Sequence, residues 1–235
     1  MENFLELLEH CPLFDGIRQA DIAAMLQCLG ARVLRYGKGE TILAEGAPAK
    51  YVGIVLSGAV QIVRVDYFGN RSIIARAGPA ELFGESFACA GVSAAPVSAA
   101  AAEPAQVMLI DCVKITRSCG SACPFHQQVL LNLLKAIAEK NLAFHQKIEV
   151  TSRRTTREKL AAYLSQQAKR HNSSSFEIPY SRQDLADYLG VDRSGLSVEI
   201  SKFRRQGLIE TKGREFIILG NLEEQGRFIP ASGPP

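Results

Sequence analysis

The rhythm of apolar and polar positions changes twice along this chain. From about residue 32 to 111, short β-branched runs alternate with glycines, as in "ETILAEG", "YVGIVLSGAVQIVRVDYFGNRSIIARAG", "ELFGE" and "AQVMLID". Inside these runs apolar and polar residues often alternate with a period near two, for example Val60-Gln61-Ile62-Val63-Arg64-Val65, and "LSG" and "FGN" supply turn residues. The pattern predicts strands joined by tight turns, and so a compact antiparallel β unit. Ahead of it, "NFLELLEH" and "RQADIAAMLQCL" carry helical spacing, with Asp15 or Gln19 near the start of the second helix.

From Pro124 to Ser152 the period becomes helical. Leu130, Leu134, Ile137, Asn141, Phe144 and Ile148 recur at alternating spacings of four and three, an a/d seam opened by a proline suited to a first helical turn. A long helix packed on its own domain is the plain reading. The polar Asn141 within the seam favours a parallel two-stranded coiled coil, because a buried Asn fixes register and oligomeric state, and the protein is then a homodimer. Beyond it, "TSRRTTREK" reads as a hinge, "LAAYLSQQAKR" as an amphipathic helix, "HNSSS" as a loop and "PASGPP" as a tail. The expected division is the β unit with its leading helices over 1–123, the dimerisation helix and hinge over 124–152, a further domain over 153–222 and a tail over 223–235.

Residues 181–209, "SRQDLADYLGVDRSGLSVEISKFRRQGLI", have the densest local signal. Ser181 can cap a helix, with Asp184 three residues on; Leu185 and Leu189 face inward and Gly190 stops the helix. Asp192 starts a second helix whose Leu196, Ile200 and Phe203 pack back on the first. Arg193, Ser194, Ser197 and Lys202 are left on the outside. Two short helices around a glycine-containing turn make a helix-turn-helix, whose second helix fits a DNA major groove. "GLIETKGREFIIL" then reads as strand, turn, strand: a wing. A small helical pair with no nucleic-acid role is the bland alternative, but caps, turn, core spacing, basic outer face and wing all agree within one short stretch.

Composition adds limits. The 235 residues are 47% hydrophobic and 22% charged, enough for one large or two modest cores. The net charge of +3 is uneven: 13 basic against 14 acidic residues up to position 150, and 14 against 10 beyond it. The basic excess therefore lies with the helix-turn-helix. No run reaches the ~18–20 apolar residues of a membrane span, and the N-terminus is acidic where a signal peptide is basic, so a cytoplasmic location without membrane contact is expected. The six cysteines all precede residue 124; in a reducing compartment they are thiols, metal ligands or redox groups. No catalytic triad, paired carboxylates, P-loop or metal-hydrolase motif occurs, so no enzyme activity is expected.

Over about residues 10–220 the chain resembles the Crp/Fnr family of bacterial transcription regulators. The phrases "KGETILAEG", "VLSGAVQI", "ELFGES" and "RQDLADYLGVDRS…GLIE" stand in the family's order. The resemblance implies an α+β protein with an antiparallel, jelly-roll-like β-roll sensor, a long dimerisation helix and a winged helix-turn-helix. It implies a homodimer that binds a palindromic double-stranded operator and works with RNA polymerase. Ser181, Arg182 and Gln183 match positions near the DNA backbone; Arg193, Ser194 and Ser197 match positions facing base edges or phosphates. Lys202, Lys212 and Arg214 are further phosphate candidates. Where many members carry Arg after the serine matched by Ser197, this chain has Val198, which argues for a different operator sequence. A cyclic-nucleotide-type sensor or interaction module without DNA binding is the competing reading.

The signal is less legible. Relatives that bind cyclic nucleotides follow a Gly-Glu pair, about ten residues later, with an arginine that neutralises the cyclic phosphate. Here Gly84-Glu85-Ser86 is present, but the matching stretch reads Ala95-Pro96-Val97, and no Lys or Arg lies between Arg76 and Lys114. On the dimer helix, where those relatives direct hydroxyls at the purine, this chain carries Phe144. Cyclic AMP is disfavoured, and an unidentified small-molecule effector in the same cavity stays open. An iron–sulfur centre lacks its N-terminal cysteine cluster, and haem through His126 or His145 has little support. Cys119, Cys123 and His126, alone or with Cys112 or Cys11, are only a loose metal motif, and no metal is assigned. A thiol–disulfide switch using Cys11, Cys89, Cys119 or Cys123 is the remaining redox option.

Overall fold

The computed structural model describes residues 4–116 and 125–222. Cys119, Cys123, Pro124 and the expected 223–235 tail lie outside the described residues. The chain divides into two compact units, Met1–Ala143 and Phe144–Pro235.

The first unit opens with α1 (Leu5–Glu9), a 3-10 turn at Pro12–Phe14 and α2 (Gln19–Cys28). Eight strands follow among the described residues: β1 (Arg32–Tyr36), β2 (Thr41–Leu43), β3 (Tyr51–Ser57), β4 (Val60–Val65), β5 (Arg71–Ala77), β6 (Leu82–Phe83), β7 (Ser98–Ala101) and β8 (Ala105–Asp111). Two short helices interrupt or follow them, α3 (Glu85–Cys89) and α4 (Cys112–Thr116). The strands make two antiparallel four-stranded sheets, ordered β1-β8-β3-β6 and β2-β7-β4-β5. Val55, Phe83 and Val107 from one sheet meet Val60, Ile62 and Ala99 from the other. On the first sheet's opposite side, Val52, Ile54 and Met108 pack with apolar residues of the helices. Central strand β3 is therefore buried on both sides, which explains its unbroken apolar run.

The regular alternation expected over 60–65 is not what the fold uses. Val60 to Val63 are all buried, and the register of β4 against β5 shifts between Ile62 and Val63. A bulge re-aims the side chains after it. Gln61, which alternation would turn to solvent, is 4% exposed and accepts a hydrogen bond from Arg71. The neighbouring turn follows its chemistry: the Asp66 carboxylate accepts from the backbone N–H groups of Phe68 and Asn70 at 2.9 and 2.8 Å.

The long helix α5 spans His126–Thr151, and the division between units falls inside it rather than at its ends. Val129, Leu133 and Ala136 belong to the first unit's core. The Asn this unit buries is Asn132, whose Nδ2 donates to the carbonyls of Leu13 and Asp15 at 3.1 and 2.8 Å. Asn141 is exposed, as are Leu130, Leu134, Phe144 and Ile148; Ile137 is partly buried against the core. Both readings of the helix thus find residues: one face packs on its own domain and the seam face is open.

The second unit contains α6 (Thr156–His171), β9 (Ser175–Glu177), α7 (Arg182–Leu189), α8 (Arg193–Arg205), β10 (Ile209–Lys212) and β11 (Glu215–Ile218). The basic hinge contains an unforeseen capping box. Thr155 Oγ1 accepts from Glu158 N at 3.1 Å, and Glu158 returns the bond to Thr155 N. The strands form an antiparallel sheet β10-β11-β9, so the wing has a third strand from the serine-rich loop, where Phe176 alone breaks the polar run.

Candidate functional site

The helix-turn-helix is built as its caps dictate. Ser181 Oγ accepts from Asp184 N at 3.1 Å and donates to Asp184 Oδ2 at 2.8 Å, so one side chain fixes the start of α7. Gly190 ends it at φ +62°, the left-handed conformation a side chain would oppose, and Val191 N closes the turn on Ala186 O. Asp192 stands at the N-cap of α8 but makes no side-chain capping bond. Leu185, Leu189, Leu196 and Phe203 are fully buried, with Ile200 at 6%. This fixes the opposite side of α8 outward: Arg193, Ser194, Ser197 and Lys202 are exposed.

The expected contact residues differ in what holds them. Ser197 Oγ donates to Arg193 O at 2.9 Å. Lys202 pairs with Glu199 at 2.7 Å and Arg214 with Glu177 at 2.8 Å; both are exposed pairs, which contribute little and exchange readily. Gln183 Nε2 donates to Asp187 at 2.8 Å. Lys212 is exposed at the end of β10, beside the Gly213-Arg214 turn.

Arg182 is the departure. Its guanidinium lies over the Phe216 ring at 4.7 Å, and Nη2 donates to Thr211 Oγ1 at 2.8 Å. Here the side chain faces the wing rather than an open surface. Burial lowers its pKa, and its buried Nη1 has no partner among the described residues. The sequence signal was the aromatic Phe216, which offers a planar guanidinium a face to stack on.

In the β-roll, Gly84 takes φ +76° and its missing Cβ would stand 3.3 Å from Tyr51 O, so the turn needs glycine. Glu85 then starts α3. It is 2% exposed, and Lys140 Nζ of α5 lies 2.9 Å from each of its carboxylate oxygens, donating also to Leu82 O. The charge opposite Glu85 therefore comes from 55 residues away. No scan of the stretch between Arg76 and Lys114 could find it. Ser86 Oγ is 3.4 Å from Glu85 Oε1. Ala95 is bound by main chain to Gly46 and Ala47, Val97 joins the core between the sheets, and Pro96 is exposed. Phe144 belongs to the second unit.

Among the cysteines, Cys11 is 1% exposed, and burial pushes its thiol up to about 11, which suits packing rather than reactivity. Cys89 and Cys112 bring their Sγ atoms to 3.2 Å. His126 Nε2 is 2.9 Å from Ile115 O. No group of three His, Cys, Asp or Glu among the described residues could hold a metal ion.

A β-roll of two sheets followed by a long helix and a winged helix-turn-helix defines the class of DNA-binding regulators with a sensor module. Residues 33–119 match the model of the cyclic nucleotide-binding domain, and residues 158–224 that of the Crp-like helix-turn-helix domain. The chain belongs to the Crp/Fnr family of transcription regulators, and it is a DNA-binding transcription regulator of that type. Transcriptional activator protein anr of Pseudomonas aeruginosa is 26% identical over 191 residues, covering 79% of this chain and 76% of that protein. The structure of FixK2 from Bradyrhizobium japonicum is 26% identical, with TM-score 0.65, over 81% of this chain and 93% of that one. The regulator CLP of Xanthomonas campestris shares the fold at TM-score 0.69 and 18% identity, over 86% of this chain and all of that one.

Proposed function

We propose that the protein acts in the cytoplasm as a homodimer that lays one α8 in the major groove of each half of a palindromic operator. The observation that carries this is the exposure of Arg193, Ser194 and Ser197 along the outer side of α8 while Leu196, Ile200 and Phe203 are buried beneath. Arg193 is suited to guanine O6 and N7. Ser181, Gln183 and the amides at the start of α7 suit phosphate oxygens, as do the exposed Lys212 and, once released from Glu199 and Glu177, Lys202 and Arg214. The activator names of the relatives support contact with RNA polymerase. Cyclic AMP does not fit: Glu85 is already neutralised by Lys140, and the 95–97 stretch adds no cation for a phosphate. The signal is then a neutral or differently charged small molecule, or a redox change.

Selection from a random duplex library, followed by gel shift, tests this reading. A palindromic sequence is expected. Arg193→Ala should relax preference at one position per half-site, about 1–3 kcal/mol of discrimination. Lys212→Ala should weaken all sequences alike and reduce the salt slope by about one. Recovery of no preferred sequence, or equal effects of both variants on specific and nonspecific DNA, overturns the assignment.

A further inference from the structure

Cys89 closes α3 and Cys112 opens α4, and their sulfurs stand 3.2 Å apart. That is little more than ~1 Å beyond a disulfide bond of about 2.05 Å. We propose that Cys89 and Cys112 are a reversible thiol–disulfide exchange site for a low-molecular-weight disulfide, and that α3 passes its state to α5.

The two thiols are not equivalent. Cys112 is buried, and its backbone N–H donates to Lys50 O at 3.0 Å, while Cys89 is the more exposed residue although its sulfur is partly buried against Cys112. Cys89 is thus the attacking sulfur and Cys112 the resolving one. In the first step the Cys89 thiolate attacks one sulfur of the disulfide RSSR; a mixed disulfide forms and RS⁻ leaves. In the second, the Cys112 thiolate attacks Cys89 Sγ and expels a second RS⁻. The two protons lost by the cysteines end on the two RS⁻ groups, giving two RSH, and two electrons pass from the protein to RSSR. Thiols already in contact lose little freedom on closing, which favours the oxidised form. Burial, the adjacent Cys112 and Glu85 push the Cys89 thiol up to about 12. The thiolate is therefore scarce at neutral pH, and exchange speeds up as the pH rises. Such a site answers sustained oxidation rather than a brief pulse.

The relay rests on α3 being five residues long and held at both ends. Glu85 at its start is locked to Lys140 of α5, and Cys89 at its end is the moving sulfur. A buried carboxylate does not part cheaply from its ammonium, so a pull on α3 is a pull on α5.

The DNA readout rests on the regulator reading above, whereas the mass readout does not. Full-length protein is equilibrated anaerobically at pH 8 across a series of reduced and oxidised glutathione, quenched in acid, alkylated and mapped by mass spectrometry. Affinity for the selected duplex is measured on the same samples. The expected result is a linked Cys89–Cys112 peptide pair lighter by two hydrogens, with affinity changing about fivefold or more along the same curve. C89S, and either C112S or C112A, should abolish both changes, while the C119S/C123S double variant should preserve them. Thiols that stay reduced across the series, or a disulfide mapping elsewhere, overturn the site. A Cys89–Cys112 disulfide with unchanged DNA affinity overturns the relay. Reduced wild type that binds no selected duplex overturns the regulator reading instead, and the mass map still decides the site.

Discussion

Arg182 illustrates how neighbours decide a residue's role. Its position at the start of α7 is where an anion would be held, yet its guanidinium stacks on Phe216 and bonds Thr211. The side chain is thereby a brace between α7 and the wing. Arg182→Met should destabilise the second unit by about 1–2 kcal/mol, the scale of one stacked cation plus one hydrogen bond, read from its urea transition. The salt slope of DNA binding should stay unchanged; a drop of about one would place the side chain on a phosphate instead. Cap residues were legible because a cap acts on its own helix: Ser181 with Asp184, and Gly190 after Leu189, lie within one turn of what they satisfy. Glu85 and Lys140 were not, since nothing local links positions 55 residues apart.

At the scale of elements, α5 and α7 meet within the second unit through Lys147, whose Nζ lies 4.3 Å from the centre of the Tyr188 ring. Tyr188 in turn packs with Tyr163 and Tyr180 at 5.6 and 4.9 Å. Burial lowers the Lys147 pKa from 10.5 to about 8. Between those values the unfolded chain holds a proton that the folded one has released, so stability rises with pH from about 8 towards 10.5. Below 8 both states are protonated and the charge is buried at its full penalty. Denaturation midpoints of the second unit, which contains none of the cysteines, should climb between pH 7.5 and 9.5 in the wild type and flatten in Lys147→Met. The upper limit avoids the tyrosines, whose hydroxyls are raised mainly by burial and lower stability when they titrate. The strands were legible as elements, but the β4 bulge that buries Gln61 was not, because a register shift depends on the partner strand.

For the whole molecule, the open face of α5 carries the argument for a homodimer. Leu134 and Ile148 are 64% and 61% exposed in a single chain, and such a stripe is ordinarily covered. Leu134→Lys combined with Ile148→Lys should give monomers in sedimentation. Operator affinity should fall at least about a hundredfold, because two linked half-site contacts become independent. A dimer that survives both charges would remove this seam as the interface. No described helix is long and apolar enough to cross a membrane.

Sequence alone determined the β unit, the long helix, the helix-turn-helix and wing, and the sides of α7 and α8 that face the core. Each follows from periodicity, caps and turn residues acting within a few positions. Tertiary structure alone decided which charge faces Glu85, that Arg182 turns to the wing, that Asn132 rather than Asn141 is buried in the first unit, and that Cys89 finds Cys112. Each of these is a pairing across the chain. Hydrophobic rhythm brings elements together, but only their packing sets which polar and sulfur atoms are left within bonding distance.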